Sequence, residues 1–497
     1  MEAIYAMSTK KPASATVRSL VPARMDRLPW SRFHWLVVIG LGVSWILDGL
    51  EIQIASSVSP VLQLHATLGL SAAEIGLIGT AYLAGEVGGA LVFGRLTDYL
   101  GRKRLFIWTL ALYLLASGIS GLSPTLWFLL LFRFIAGAGI GGEYTAINSA
   151  IDELIPSYYR GRVDIAVNGT YWAGALIGSA STVFLLNPHL LSVNLGWRIG
   201  FFLGPVIGLI IIYIRRYIPE SPRWLMIHGR NVEAERIVGE IEEGVLSRGG
   251  KLAPVPESST IEVTGRAAVS YYQITTTMLR QYPRRSFLGF SMMVTQSFLY
   301  NAIFFSYALV LSHFYHIAAD YIGYFFVPFA VGNLIGPLLL GGLFDTIGRR
   351  KMITFTYCIS GILLAISGAL FDAGVLSAVT QTIFWCVIFF FASAGASSAY
   401  LTVSEIFPLE LRGQAISFFF AIAQLVGGVG APLLFASLIG SGHNPGPLTL
   451  GYYVGAGIMF GGGVIAWFFA VNAERTSLED VAQPLSVASA SHTSTTS

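Results

Sequence analysis

The sequence predicts an all-α membrane protein with twelve transmembrane helices in two pseudo-symmetric six-helix bundles. Three observations carry that prediction. Of the 497 residues, 54% are hydrophobic and only 11% charged, where a soluble domain carries about 25% charged residues. Apolar runs recur at about the 20 residues needed to cross a ~30 Å hydrocarbon core. The string "GRLTDYLGRKR", beginning at Gly94, returns as "GGLFDTIGRRK" at Gly341.

The expected spans cover residues 35–59, 73–97, 104–123, 125–149, 162–186 and 197–217, then 286–312, 318–343, 350–370, 378–403, 412–438 and 448–472. The first run is too long for a signal-peptide core, so the basic stretch before it is expected to be retained. Placing the N-terminus in the cytoplasm puts all but two of the 30 Lys and Arg residues on the inner side, the exceptions being Arg133 and Arg198. Both termini are then cytoplasmic.

A second repeat supports the division into halves: "ELIPSYYRG" from Glu153 and "EIFPLELRG" from Glu405 share Glu, Pro and Arg-Gly at the same spacing. The expected organisation is a cytoplasmic segment 1–34, a bundle 35–217, a cytoplasmic linker 218–285, a second bundle 286–472 and a largely disordered tail 473–497. Within the linker, Val232, Ile237, Ile241 and Val245 suggest the buried face of a short amphipathic helix. The stretch "KLAPVPESSTIEV" reads as loop.

The formal charge of +3 points to no nucleic-acid partner. Two cysteines in apolar runs make no disulfide framework. H-E-x-x-H, P-loop and G-x-S-x-G patterns are absent. Neither an enzyme nor an ATP-driven pump is expected, and no cofactor or metal.

Ionisable side chains within spans are costly and mark function by default. Asp48 and Glu51 lie in the first span, Glu86 in the second, Arg133 and Glu143 in the fourth. At 1.5 Å per residue, Glu51 and Arg133 both sit roughly 10 to 12 Å below the outer surface. They can therefore pair, either as a proton-coupling switch or as a fixed tie between helices. Asp48, three residues before Glu51, either joins the coupling or caps a break at Gly49. Glu86 and Glu143 fall roughly 21 and 25 Å from the outer face, on an inner proton route or in packing.

The second half has no buried charge but offers Gln296, Tyr300, Asn301, Asn333, Tyr400 and Gln424, which with Asn168 suit a small polar or aromatic solute held between the halves. Asp98, Arg102, Glu153 and Arg160, with their counterparts Asp345, Arg349, Glu405 and Arg412, are expected to form a cytoplasmic gate of exposed, individually weak pairs.

These motifs carry a family resemblance. "GRLTDYLGRKR" with its copy, and "RFIAGAGIGG" at 133–142, resemble the signatures of the major facilitator superfamily. "PESPRWL", "SEIFPLELRGQAIS" and "QSFLYNAIFFSY" are similar to its sugar-porter branch, while "DGLE" and "GIGGEY" lean toward bacterial metabolite:proton symporters, including carriers of nicotinate-like and aromatic acids. The resemblance implies alternating access, proton coupling at Glu51, substrate binding at Gln296 and Asn301, a functional Glu143, and an inner gate at the repeated loops. It departs at "ASSAY" (396–400), where sugar porters carry Gly-Pro-x-Pro-Trp, and at Asn168, Leu299 and "NAERTSLED".

The expectation is a monomeric, proton-coupled importer of a small metabolite in the bacterial inner membrane, favouring a weak organic acid such as an aromatic or nicotinate-like monocarboxylate. Sugar or polyol uptake, efflux and a non-transporting nutrient sensor are the alternatives.

Overall fold

A computed structural model describes residues 16–187, 189–264, 271–317, 319–408, 411–439 and 444–482. Helices occupy each expected span. In the first half these are α2 (Arg32–Leu62), α3 (Ala72–Leu100), α4 (Arg102–Ser120), α5 (Leu126–Leu154), α6 (Arg160–Gly169) with α7 (Tyr171–Leu185), and α8 (Val193–Arg215). The second half holds α12 (Pro283–His313), α13 (Ala319–Thr346), α14 (Arg349–Asp372), α15 (Ala378–Ile406), α16 (Arg412–Ala423), α17 (Ala431–Ile439) and α18 (Gly446–Phe469). Among the described residues nine helices are long and apolar enough to cross a bilayer unaided. The outward faces of the bundle's helices leave Leu115, Trp127, Val183, Leu209 and Phe468 exposed, the inverse of a soluble surface.

Two spans are interrupted, and at corresponding places in the halves. α6 stops at Thr170, whose hydroxyl donates to the carbonyls of Val167 (2.6 Å) and Gly42 (2.8 Å) instead of leaving its turn purely helical. α16 passes into a π-helical stretch, Gln424–Gly430, rich in glycines with poor helix propensity. By contrast α2 runs unbroken through Gly49, so Asp48 caps no break there. Gly49 serves packing instead: Tyr171 O occupies the space its Cβ would need, and Ile46 O does the same at Gly174, which brings α2 hard against α7.

Within the halves α3 packs on α5, α2 on α7 and α4 on α8, matched by α13 on α15, α12 on α16 and α17, and α14 on α18. The halves meet where α3 and α5 touch α16 and where α13 touches α6 and α7.

A layer covers the basic end of the bundle. It comprises α1 (Val21–Asp26), α9 (Pro222–Ile227), α10 (Asn231–Leu246), α11 (Tyr271–Gln281), α19 (Leu478–Val481) and a ribbon of β1 (Thr16–Ser19) against β2 (Ile261–Thr264). The ribbon lies where sequence suggested a loop; the pairing partner is about half a chain away and leaves no local signal. In α10 the buried face is Ala234, Ile237, Val238, Ile241 and Val245. Val232, expected on that face, is 87% exposed. Five residues of helix rotate it well off the stripe running through Ile237. The tail from residue 483 lies outside the described residues.

Glu242 of α10 binds this layer together, accepting from Arg24 Nε (3.0 Å) and Nη2 (2.6 Å) and from Arg27 Nη2 (2.5 Å). Burial opposes its ionisation, but the two guanidinium groups win and hold the carboxyl below its ordinary range. A folded value below the unfolded one stabilises fully above the ordinary carboxylate range, and that stabilisation is lost as pH falls through the folded value. Limited proteolysis is expected to open the α1 segment at about pH 3 but not at neutrality. Equal protection at both would count against this tie.

Candidate functional site

Between the halves lies a cavity of about 160 Å³. Trp45 and Ile52 reach it from α2, Leu83 and Glu86 from α3, Tyr144 from α5, and Asn168, Tyr171 and Trp172 from α6 and α7. The opposite wall is Gln296, Ser297, Tyr300, Asn301 and Phe304 of α12, Ser393, Ala396, Ser397 and Tyr400 of α15, and Gln424. No lysine, arginine or histidine is among these lining residues.

The walls are aromatic. Trp45 and Tyr144 rings are 4.5 Å apart, with Tyr400 5.7 Å from Trp45. Trp172 lies 5.9 Å from both Tyr300 and Phe304. Such faces suit a flat ring.

One hydrogen-bonded chain crosses between the halves. Gln424 Nε2 donates to Glu86 Oε2 (2.8 Å), and Ser297 Oγ donates to Gln424 Oε1 (2.9 Å). Asn301 Nδ2 donates to Ser297 O (2.8 Å). The π-helical backbone at Gln424 is thus what aims this amide at the opposite bundle.

Six of the seven expected substrate residues, Asn168, Gln296, Tyr300, Asn301, Tyr400 and Gln424, face this one cavity. Asn333 does not. It is fully buried behind the wall, where its Oδ1 accepts from Tyr300 OH (2.9 Å) and its Nδ2 donates to Phe329 O (2.9 Å). Its work is to orient Tyr300.

Of the five expected proton-coupling residues, only Glu86 reaches the cavity wall. Glu51 and Arg133 form a buried ion pair, and the Arg133 guanidinium lies 4.2 Å over the Tyr82 ring. Tyr82 OH donates to Asp48 Oδ1 (2.8 Å), and the cavity-lining Tyr144 donates to Asp48 Oδ2. Asp48 therefore stands between the Glu51 to Arg133 pair and the cavity, its oxygens held by two phenols.

Glu143 is not among the residues lining the cavity. It pairs with Arg215 of α8 and accepts from Ser44 Oγ (2.9 Å). Arg215 further donates to the carbonyls of Gly40 (3.1 Å) and Phe106 (3.1 Å). This is a tie among α2, α4, α5 and α8 away from the cavity. Arg215 escaped notice because it ends its span and read as one more inner flanking cation.

At the basic end, Arg102 donates to Glu153 (2.8 Å), and Arg349 holds Glu405 (3.0 and 3.1 Å) and Asp345 (2.7 Å). These groups are 3% exposed or less, contrary to the expected exposed, weak pairs. The covering layer removes them from solvent, so deleting one partner costs about 3–5 kcal/mol rather than 0–1.

Other contacts join the halves. Arg160 approaches Glu405 (3.8 Å) and Arg412 approaches Asp152 (3.9 Å). Asp345 accepts from the backbone N–H groups of Gly161 (3.2 Å) and Arg162 (2.7 Å), capping the start of α6 from the other bundle. Asp26 joins Arg160 (3.4 Å) and Arg223 (2.8 Å). The side chain of Asp98 lies outside the described residues. Asp26, Asp152 and the lining aromatics Trp45, Tyr171 and Trp172 were missed from sequence, whereas Tyr300 and Tyr400 were expected; for Trp45 the available signal was its place three positions before the buried Asp48.

Comparison with known proteins adds four findings. A family model described as "Sugar (and other) transporter" matches residues 44–485. The chain is 26% identical to the Niacin transporter NiaP of Acinetobacter baylyi, covering 84% of this chain and 90% of that protein. It is 30% identical to the Putative metabolite transport protein YdjK of Escherichia coli, covering 84% and 88%. Among solved structures, the proton:xylose symporter XylE bound to 6-bromo-6-deoxy-D-glucose superposes with a TM-score of 0.75 at 18% identity, covering 90% of this chain and 98% of that one.

Proposed function

The chain belongs to the sugar (and other) transporter family of the major facilitator superfamily, a multi-pass membrane transporter and not an enzyme, and from that premise we propose that it imports a small, flat organic acid together with protons by alternating access. The substrate class we favour is an aromatic or nicotinate-like monocarboxylate, and the setting a bacterial inner membrane with both termini cytoplasmic.

The observation that carries this reading is the composition of the central cavity: aromatic faces, side-chain amides, one carboxylate at Glu86 and no cation among its lining residues. A carboxylate solute beside Glu86 would place two negative charges together in a low-dielectric site. A proton on one of them relieves that repulsion. Solute and proton then bind better together than apart, a coupling of about 1–3 kcal/mol. Asp48 and the Glu51 to Arg133 pair lie behind Tyr144 and Tyr82, a path by which proton state at the pair can influence the cavity. The niacin transporter named above is consistent with a flat acid.

The amides of Gln296 and Asn301 also favour a second reading, neutral sugar uptake. Proteoliposomes given an inward proton gradient decide between them. Concentrative uptake of labelled pyridine-3-carboxylate, competed by the unlabelled acid but not by hexoses and abolished by a protonophore, is the expected result. Competition by hexoses alone would replace the acid by a sugar, and loss of preloaded solute under the same gradient would replace import by efflux.

A further inference from the structure

The contact set of Glu86 is incomplete in a way that specifies its ligand. Oε2 is taken by Gln424, but Oε1 is buried and has no hydrogen-bond partner among the described residues. Gln424 is committed to Ser297 through its own oxygen and does not turn to serve both. A buried acceptor left unmade costs about 1–3 kcal/mol. Trp45, which also lines the cavity, carries an indole Nε1 donor that is buried and likewise without a partner among the described residues.

Among the described residues no cation contacts Oε1. On α2, Asp48 is occupied by Tyr82 and Tyr144. On α5, Arg133 is committed to Glu51 and Glu143 to Arg215. The other titratable groups on the lining are the phenols of Tyr144, Tyr171, Tyr300 and Tyr400. What completes the site must therefore come with the solute: an N–H or a shared proton for Oε1, an acceptor for Trp45, and a planar body for the aromatic walls.

Resting on the reading that the cavity takes a flat organic acid, we infer that this transporter selects acids bearing a basic ring nitrogen, with one proton lying between that nitrogen and Glu86 Oε1. The proton is the same whether the solute or the carboxyl brings it, so charge balances in either order. The solute's carboxylate accepts from Trp45 Nε1–H. Glu86 is thereby the residue that distinguishes a nitrogen heterocycle from its carbocyclic isostere, since a buried polar group rejects an analogue that leaves it unpaired.

The test uses the purified full chain and three probes of similar shape: pyridine-3-carboxylate, benzoate, and N-methylpyridinium-3-carboxylate, which has the ring charge but no N–H. By titration calorimetry the first is expected to bind about tenfold or more tighter than the other two, the scale of one charge-assisted hydrogen bond. In Glu86→Met the preference for the first over benzoate is expected to fall to about twofold or less. Benzoate binding as tightly as pyridine-3-carboxylate in the parent protein, the N-methyl probe matching it, or an undiminished preference in Glu86→Met each overturns the inference while leaving the organic-acid reading intact. Binding of hexoses with none of the three acids overturns both. The parent ranking requires no variant, so a misfolded Glu86→Met leaves the test decisive.

Discussion

Glu51→Gln is expected to abolish proton-driven accumulation while substrate exchange across the membrane persists. The amide can still accept from Arg133, so the contact between α2 and α5 survives, but it has no proton to load. Counterflow and gradient-driven uptake measured in the same proteoliposomes separate these outcomes; undiminished concentrative uptake would remove Glu51 from coupling. Complete removal is a different experiment. Glu51→Leu leaves the buried Arg133 guanidinium unpaired, at a cost of about 3–5 kcal/mol. Adding Arg133→Leu is expected to restore thermal stability but not accumulation. Such recovery distinguishes a pair kept for transport from one kept for rigidity, since a purely structural tie would leave the double variant both stable and active.

The second large effect is expected at Asp345. Its carboxylate caps α6 across the interface and holds Arg349 within its own half. Asp345→Asn keeps the size of the side chain but halves its acceptors and removes the charge at the helix start. Loss of the cap and dipole terms amounts to about 1–2 kcal/mol, or roughly tenfold in the population open at the basic end. Single cysteines placed along the inner wall should label correspondingly faster from that side. Labelling at the parental rate would mean that the latch does not control opening.

What could be read from sequence follows what hydrocarbon enforces. Spans are legible because a bilayer demands about 20 apolar residues wherever it is crossed, and the repeated Gly94 and Gly341 strings expose the halves directly. Depth arithmetic brought Glu51 level with Arg133, and the structure pairs them. Rotation was harder. Within a membrane an aromatic residue reads the same whether it faces lipid, as Trp127 does, or the cavity, as Trp45 does, because apolar periodicity weakens when both sides are apolar. The partner of Glu143 was hidden for another reason: Arg215 lies in α8, and nothing near Glu143 in the chain indicates it. The break at Thr170 depends on its hydroxyl reaching a carbonyl of α2, and the π-helical turn from Gln424 is written only in a glycine-rich run that any span can carry.

The β1 and β2 ribbon sets a timing constraint on biogenesis. Thr16 faces Thr264 and Ser19 faces Ile261, so the leading strand emerges from the ribosome long before its mate exists. At about 5–20 residues per second the wait is on the order of 10 to 50 seconds, during which the first six helices are inserted. The ribbon can therefore close only after the first six helices have been made, and it can do so before the last six follow.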